Sequence, residues 1–398
     1  MAFFRSKELS SLSLFYLSSL INYSTAVILP FLIVYFRSLG FSFTKISLIV
    51  LILGLGTFFF EIPTGIFADL YGRKKSVLLG FFGLSIIFLL MSFVKSFILL
   101  LILWIFFSFF QTFISGSDSS WVVSNLLKLG LKDLQQTYFV KLEIIVSLGL
   151  FISPLLGMFI LHYFSYVYLW LFASLGTFIS GFILVFVPEK FIPSNSVKFI
   201  SLKKTISDFI VHFKESTRFV FEKKPIFYFF LAEIFVVLMT LGDEAWQPLF
   251  VNLGGSVYQL GILYSLTALL SAGVPLLVRY FTDLNLKTVL IVSECFDALI
   301  LISVLFLHKG MFWFVLIPFI LFAMNNSLKK PLKDNYIHSQ LNDSSRATIA
   351  SYFSMIQGLF VALTGLVGGI LLDILPLSVV IALGSVFVLG AVYFYLRL

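Results

Sequence analysis

The chain has 398 residues, of which 60% are hydrophobic and only 12% are charged. A soluble domain runs nearer half apolar and a quarter charged, so this composition excludes an ordinary soluble enzyme, a disordered chain and a secreted disulfide scaffold. The net charge of +8 does not point to nucleic acid, because the basic residues fall between apolar runs and form no basic domain.

A membrane-spanning helix needs about 20 mostly apolar residues. In chain order, such runs occupy roughly 10–36, 45–68, 75–94, 97–120, 138–162, 166–187, 226–252, 258–281, 287–307, 311–328, 349–372 and 375–396. The expected fold is therefore an all-α membrane protein with twelve transmembrane helices. The first run follows Arg5 and Lys7 and is long for a signal-peptide core, so it is read as span 1. Lys and Arg collect on the cytoplasmic side of membrane proteins. With both termini placed inside, only Arg37, Lys45, Lys95 and Lys309 lie outside. Lys141, Lys329, Lys330, Lys333 and Arg346 then read as cytoplasmic topology markers. The expected location is a bacterial-type inner (plasma) membrane. Trp104, Trp121, Trp170 and Trp313, near span ends, read as interfacial anchors. The single Cys295 can form neither an internal disulfide nor, by itself, a metal site.

A basic connector divides the chain into an N-terminal six-helix half, 1–187, a linker, 188–225, and a C-terminal six-helix half, 226–398. In the linker Phe199, Ile200, Leu202, Ile206, Phe209, Ile210 and Phe213 recur at helical spacing. That pattern predicts an amphipathic helix held on the inner leaflet by apolar burial and anionic lipid, with protein binding as the alternative.

The two halves repeat. Pro30 in span 1 matches Pro248 in span 7, and Ser42-x-x-Lys45-Ile46 matches Ser256-x-x-Gln259-Leu260. Glu61-Ile62-Pro63 in span 2 matches Gly273-Val274-Pro275 in span 8. Ser153-Pro154-Leu155-Leu156-Gly157 in span 5 matches Thr364-Gly365-Leu366-Val367-Gly368 in span 11. Transporters are often built from two such halves with a substrate site near the midplane between them, and a channel or membrane enzyme has less need of the symmetry.

The most specific motif is E-I-P-T-G-I-F-A-D-L-Y-G-R-K-K-S, from Glu61 to Ser76, joining spans 2 and 3. It resembles the signature loop of the major facilitator superfamily, with the match on Gly65, Asp69, Gly72, Arg73, Lys74 and Lys75. Gly65 would let another helix approach closely, and Gly72 would permit a tight turn. Asp69 at a helix end would meet an opposed helix N-terminus or a basic side chain. The resemblance implies that Gly65, Asp69, Gly72, Arg73 and Lys74 form a cytoplasmic latch, broken and remade during alternating access. In the second half only Arg279 and Asp283 lie near the corresponding place. The stretches P-L-K-D-N-Y and R-A-T-I-A-S, the latter starting at Arg346, together with D-E-A-W-Q-P-L-F and S-G-S-D-S-S-W, are similar to bacterial members that carry E-x-P-T-G. Many of those are drug-efflux-like. Gly149-x-x-x-Ser153-Pro154-x-x-Gly157 resembles the span-5 motif of proton-coupled antiporters, expected to pack and kink between spans 5 and 8, although Ser153 and Met158 replace glycines. The span-4 arginine frequent in such antiporters is absent, with Thr112 in its place.

An ionisable residue inside a span is costly unless paired or wet, which makes each one a functional candidate. Asp243 and Glu244 in span 7, beside Trp246 and Gln247 and ahead of Pro248, are the leading proton or cation sites. Asn22, Tyr23 and Thr25 occupy the equivalent part of span 1. Glu233, shallower in span 7, is expected to reach inner-leaflet water. Asp118, near the end of span 4, is a gate or capping residue. Glu294 and Asp297 in span 9 are expected to be structural. No phosphate loop, H-E-x-x-H or G-x-S-x-G appears, so neither direct ATP use nor catalysis is supported. The chain is expected to be a monomeric secondary transporter of a small-molecule substrate, with protons as coupling ion and no metal or cofactor. Export of hydrophobic or cationic compounds is the leading reading. A proton- or sodium-coupled importer of a nutrient or other small solute, and a non-transporting membrane enzyme or scaffold, are the alternatives.

Overall fold

A computed structural model of the chain describes residues 6–188, 202–281, 284–340 and 343–398. Every extended element among them is helical. Twelve stretches are long and apolar enough to cross a membrane: Lys7–Ser38, Phe43–Tyr71, Arg73–Met91, Phe97–Lys128, Leu134–Tyr163, Tyr166–Val185, Lys224–Asn252, Val257–Val278, Leu286–Phe306, Phe312–Ile337, Tyr352–Leu372 and Leu377–Tyr395. Their number and order are those expected, and they are numbered 1–12 below.

Two spans run further than their apolar run suggests. Span 4 continues after Gly116 and Ser117 as the helix Asp118–Lys128, which buries Trp121, Val122 and Leu126. Span 10 continues through Lys329 and Lys333, because acids of span 9 pair with both lysines. A hydropathy pattern reads such paired charges as the end of a helix, since it scores each side chain alone.

Spans 1 and 7 are broken alike. Span 1 passes from the helix Ser6–Ser24 through a 3-10 turn at Leu29–Phe31 into Leu32–Ser38. Span 7 passes from Lys224–Leu238 through a 3-10 segment at Met239–Ala245 into Trp246–Asn252. Pro248 lacks an N–H, so the carbonyl of Glu244, four residues earlier, loses its α-helical donor. The helix is therefore loosened in the turn before the proline.

The chain packs as two units, each described separately. One holds span 1, span 2 from Ile52, spans 3–6 and Val257–Leu269 of span 8. The other holds Gly40–Leu51, span 7, the rest of span 8 and spans 9–12. The first is centred on Phe15, Tyr16, Phe81, Trp121 and Tyr138, the second on Phe229, Phe230, Tyr352, Phe353 and Tyr395. Trp104, Trp121 and Trp170 are core residues, at most 4% exposed, and only Trp313 is exposed as an interfacial anchor would be. Rings of this size fill the gaps between helices when small residues face them, so position near a span end does not decide their role.

Glycines set the closest approaches. In the first unit Gly149 and Gly157 of span 5 face the break in span 1: an added Cβ would lie 2.5 Å from Tyr23 Cβ and 2.5 Å from the Phe31 ring. The expectation that these glycines meet span 8 is corrected. Span 8 instead places Gly261 against the Pro154 carbonyl, 2.4 Å from a Cβ built there, and Ser265 Oγ donates to the Phe151 carbonyl at 2.8 Å. Ser153 is buried, and Pro154 lies within the continuous helix Leu134–Tyr163. In the second unit Gly368 of span 11 faces the break in span 7, where a Cβ would fall 1.9 Å from the Leu241 carbonyl oxygen.

The linker contains the helix Leu202–Glu222. Phe199 and Ile200 and the side chains of Leu202, Ile206, Phe209 and Ile210 lie outside the described residues. Further along, Val220 joins the second unit's core, Phe213 packs on Tyr352 with ring centroids 5.2 Å apart, and Thr217 bonds the Tyr352 hydroxyl at 3.3 Å. The end of this helix is thus tied to span 11 rather than resting on lipid alone.

Candidate substrate and coupling site

The break in span 7 brings together Asp243, Glu244, Trp246 and Gln247. Gly242 adopts φ −105° and ψ 17°, outside helical geometry, and a Cβ there would sit 2.6 Å from Ile381 Cα of span 12. The adjacent carboxylates differ in surroundings: Asp243 is exposed, whereas Glu244 is buried at 8% exposure. Glu244 packs over Gly365 of span 11, whose missing Cβ would stand 3.0 Å from Oε1. Glu244 Oε2 is buried with no hydrogen-bond partner, and so is Thr364 Oγ1 beside Gly365. Trp246 is buried edge-on against Phe319 of span 10, centroids 5.4 Å apart, and Gln247 is buried with it. An ionised carboxylate held like that of Glu244 lacks the donors that offset its desolvation, so a proton on it would remove that cost.

The matching part of span 1 has Asn22 half-buried and Tyr23 exposed, with the Thr25 hydroxyl bonded to the carbonyls of Ile21 and Asn22. Glu233 does not reach water as expected. It is buried, with Oε1 2.9 Å from Lys333 Nζ, and it accepts the Tyr395 hydroxyl. Lys329 and Lys333 pair with the acids of spans 7 and 9 instead of marking a loop. Lys141 is likewise buried, its Nζ 2.7 Å from both carboxylate oxygens of Glu8. These pairings join residues distant in sequence; the visible clues were only the i, i+3 and i, i+4 spacings of Glu294/Asp297 and Lys329/Lys333.

The loop between spans 2 and 3 is held by two of its predicted latch residues. Gly72 sits at φ 103°, a backbone region that side chains disfavour, and it starts the helix Arg73–Met91. Arg73 donates at 2.6 Å to both the Ser120 carbonyl and Ser124 Oγ in the second segment of span 4. Lys74 Nζ caps the end of span 6, 2.7 Å from the Val185 carbonyl and 2.6 Å from that of Val187. Two expectations are corrected. Asp69 is exposed and makes no ion pair among the described residues, and Gly65 has nothing within 4 Å of an added Cβ. Asp118 is half-buried in the first turn of Asp118–Lys128, where a negative charge suits the helix N-terminus. Arg346 falls within the helix Asp343–Leu372, but its side chain lies outside the described residues.

Residues 13–328 match the Major Facilitator Superfamily. The chain is 25% identical to YxaM of Bacillus subtilis (strain 168), an uncharacterized MFS-type transporter, over 96% of this chain and 95% of that one. Its fold is similar to that of the nucleoside transporter NupG, with a TM-score of 0.78 at 14% identity over 97% and 98% of the two chains. It is also similar to a bacterial homologue of the iron transporter ferroportin in its inward-facing state, with a TM-score of 0.70 at 14% identity, covering 97% of each chain. Twelve spans, two broken repeats, the loop held by Arg73 and the family match agree: this chain belongs to the major facilitator superfamily, and is a multi-pass membrane transporter of small molecules rather than an enzyme.

Proposed function

We propose that the chain is a proton-coupled secondary transporter that exports small hydrophobic or cationic compounds by alternating access. It would sit in the plasma membrane with both termini cytoplasmic. The observation carrying this reading is the unequal carboxylate pair at the span-7 break, Asp243 exposed and Glu244 buried with an unpartnered oxygen. Asp243 offers negative charge to a cationic substrate. A proton on Glu244 removes the cost of its buried charge, and its release restores that cost, so proton occupancy can bias the packing of span 11 on the break. The basic linker and the loop after span 2 support the cytoplasmic placement through charge bias alone.

The test is transport in proteoliposomes with Asp243→Asn and Glu244→Gln. Glu244→Gln should abolish proton-driven movement of a lipophilic cation while leaving cation exchange at equilibrium. Asp243→Asn should weaken cation binding at least tenfold. Unchanged proton-driven movement in both variants would refute the assignment.

A further inference from the structure

Spans 7, 9, 10, 11 and 12 enclose a second group of ionisable side chains, within one packed unit and separate from the Asp243–Glu244 pair. Lys329 Nζ lies 2.8 Å from Glu294 Oε2 and 2.5 Å from Asp297 Oδ2. Lys333 Nζ lies 2.9 Å from Glu233 Oε1 and 3.2 Å from Glu294 Oε1. The neutral neighbours complete the shell. Tyr395 donates to Glu233 Oε1, Gln357 Nε2 lies 3.5 Å from Glu233 Oε2, and Asn325 Nδ2 donates to Asp297 Oδ1 at 2.8 Å.

The charges do not balance. Three carboxylates face two ammonium groups, so the fully ionised cluster carries one uncompensated negative charge. Its members are almost sealed from water: the Glu294 and Asp297 side chains are at most 1% exposed and that of Lys329 is 2% exposed. A buried unpaired charge costs several kcal/mol, and a single proton removes it. The carboxylates differ in how well they are compensated. Glu294 lies between both lysines. Asp297 has Lys329 and an amide donor at the most sealed end. Glu233 shares Lys333 with Glu294, and this pair forms the more open end, at 8% and 12% side-chain exposure. Tyr395 and Gln357 suit either state of Glu233, because a phenol oxygen that donates to a carboxylate can accept from a carboxylic acid.

We propose that this buried cluster of Glu233, Glu294, Asp297, Lys329 and Lys333 is a proton-binding site of the transporter, taking up one proton to offset its uncompensated charge. Uptake converts one of the cluster's carboxylates to a carboxylic acid and brings the cluster to neutrality. Release restores the single uncompensated negative charge. The site acts on the resting protein without substrate, so it stands or falls independently of Asp243 and Glu244.

The experiment is proton counting on the purified full-length protein in lipid nanodiscs across about pH 5–9, paired with pH-difference infrared spectroscopy of the carboxylic acid band. In Glu233→Gln the number of protons bound should fall by one per chain and one carboxylic acid band should vanish. Glu244→Gln should leave that band in place. Asp297→Asn alters the opposite end of the cluster and also restores charge balance, so it should remove the same proton with Glu233 intact. This variant decides the matter if Glu233→Gln does not fold. Retention of the proton and its band in folded Glu233→Gln or folded Asp297→Asn would overturn the proposal.

Discussion

Lys329 and Lys330 are adjacent in sequence and look equivalent there, yet Lys329 is 1% exposed and Lys330 faces solvent. Lys329 is held by Glu294 and Asp297, so removing its ammonium leaves two acids buried against each other. Lys329→Met should cost about 3–5 kcal/mol, the usual loss when one member of a buried pair is deleted. Lys330→Met should stay within about 0.5 kcal/mol of wild type. Thermal unfolding of the two purified variants checks this, and similar stabilities would contradict the pairing. The same contrast marks the limit of reading at this scale. Asp243, Glu244, Glu233, Arg73 and Lys74 stand out in the sequence as charges in apolar surroundings or in a motif. The partners of Glu233, Lys141 and Lys329 do not, because each lies on another helix far along the chain. Asp69 was singled out by the motif alone, and its exposed position shows that a motif residue need not be engaged in every arrangement of its loop.

Helix ends and helix contacts behave as elements rather than as single residues. Span 2 starts at Phe43, and its first backbone N–H groups have no partner within the helix. Asp373, just after span 11, supplies one: its Oδ1 accepts from Phe43 N at 2.8 Å, and its Oδ2 accepts from Thr44 N at 3.0 Å and Thr44 Oγ1 at 2.7 Å. Partial burial pushes the Asp373 carboxyl up, but the donors from Thr44, Phe43 and Ser42 outweigh it and hold the group below the usual carboxylate range. A depressed folded-state value means the contribution is complete above the ordinary aspartate range. It is lost as pH falls through the depressed value. Asp373→Asn should therefore lower the melting temperature at pH 7, with the gap to wild type closing as the medium is made more acidic. A gap that does not change with pH would contradict the capping role. The pairing of Gly368 with the span-7 break and of Gly149 with the span-1 break belongs to this scale too. Small residues in spans 5 and 11 are visible in the sequence, but the helix each one faces is not.

At the scale of the whole molecule the sequence is most informative. Twelve spans follow from apolar run length, the duplication from Pro30/Pro248 and its companion pairs, and the family from Gly65 to Lys75. Boundaries fall short where charges are paired inside the bundle, as in span 10, and where a helix resumes after a break, as in span 4. Substrate is not legible, because the features that define the fold are shared by transporters of unlike compounds. The proposed proton coupling and export rest on the Asp243–Glu244 pair. The most direct measurement is the pH gradient in everted membrane vesicles energised to an acidic interior, followed while a lipophilic cation is added. The account predicts that the cation collapses the gradient with the wild-type protein and fails to do so with the Asp243→Asn, Glu244→Gln double variant. A gradient unmoved by the cation in vesicles holding folded wild-type protein, or equally collapsed in the double variant, would contradict it.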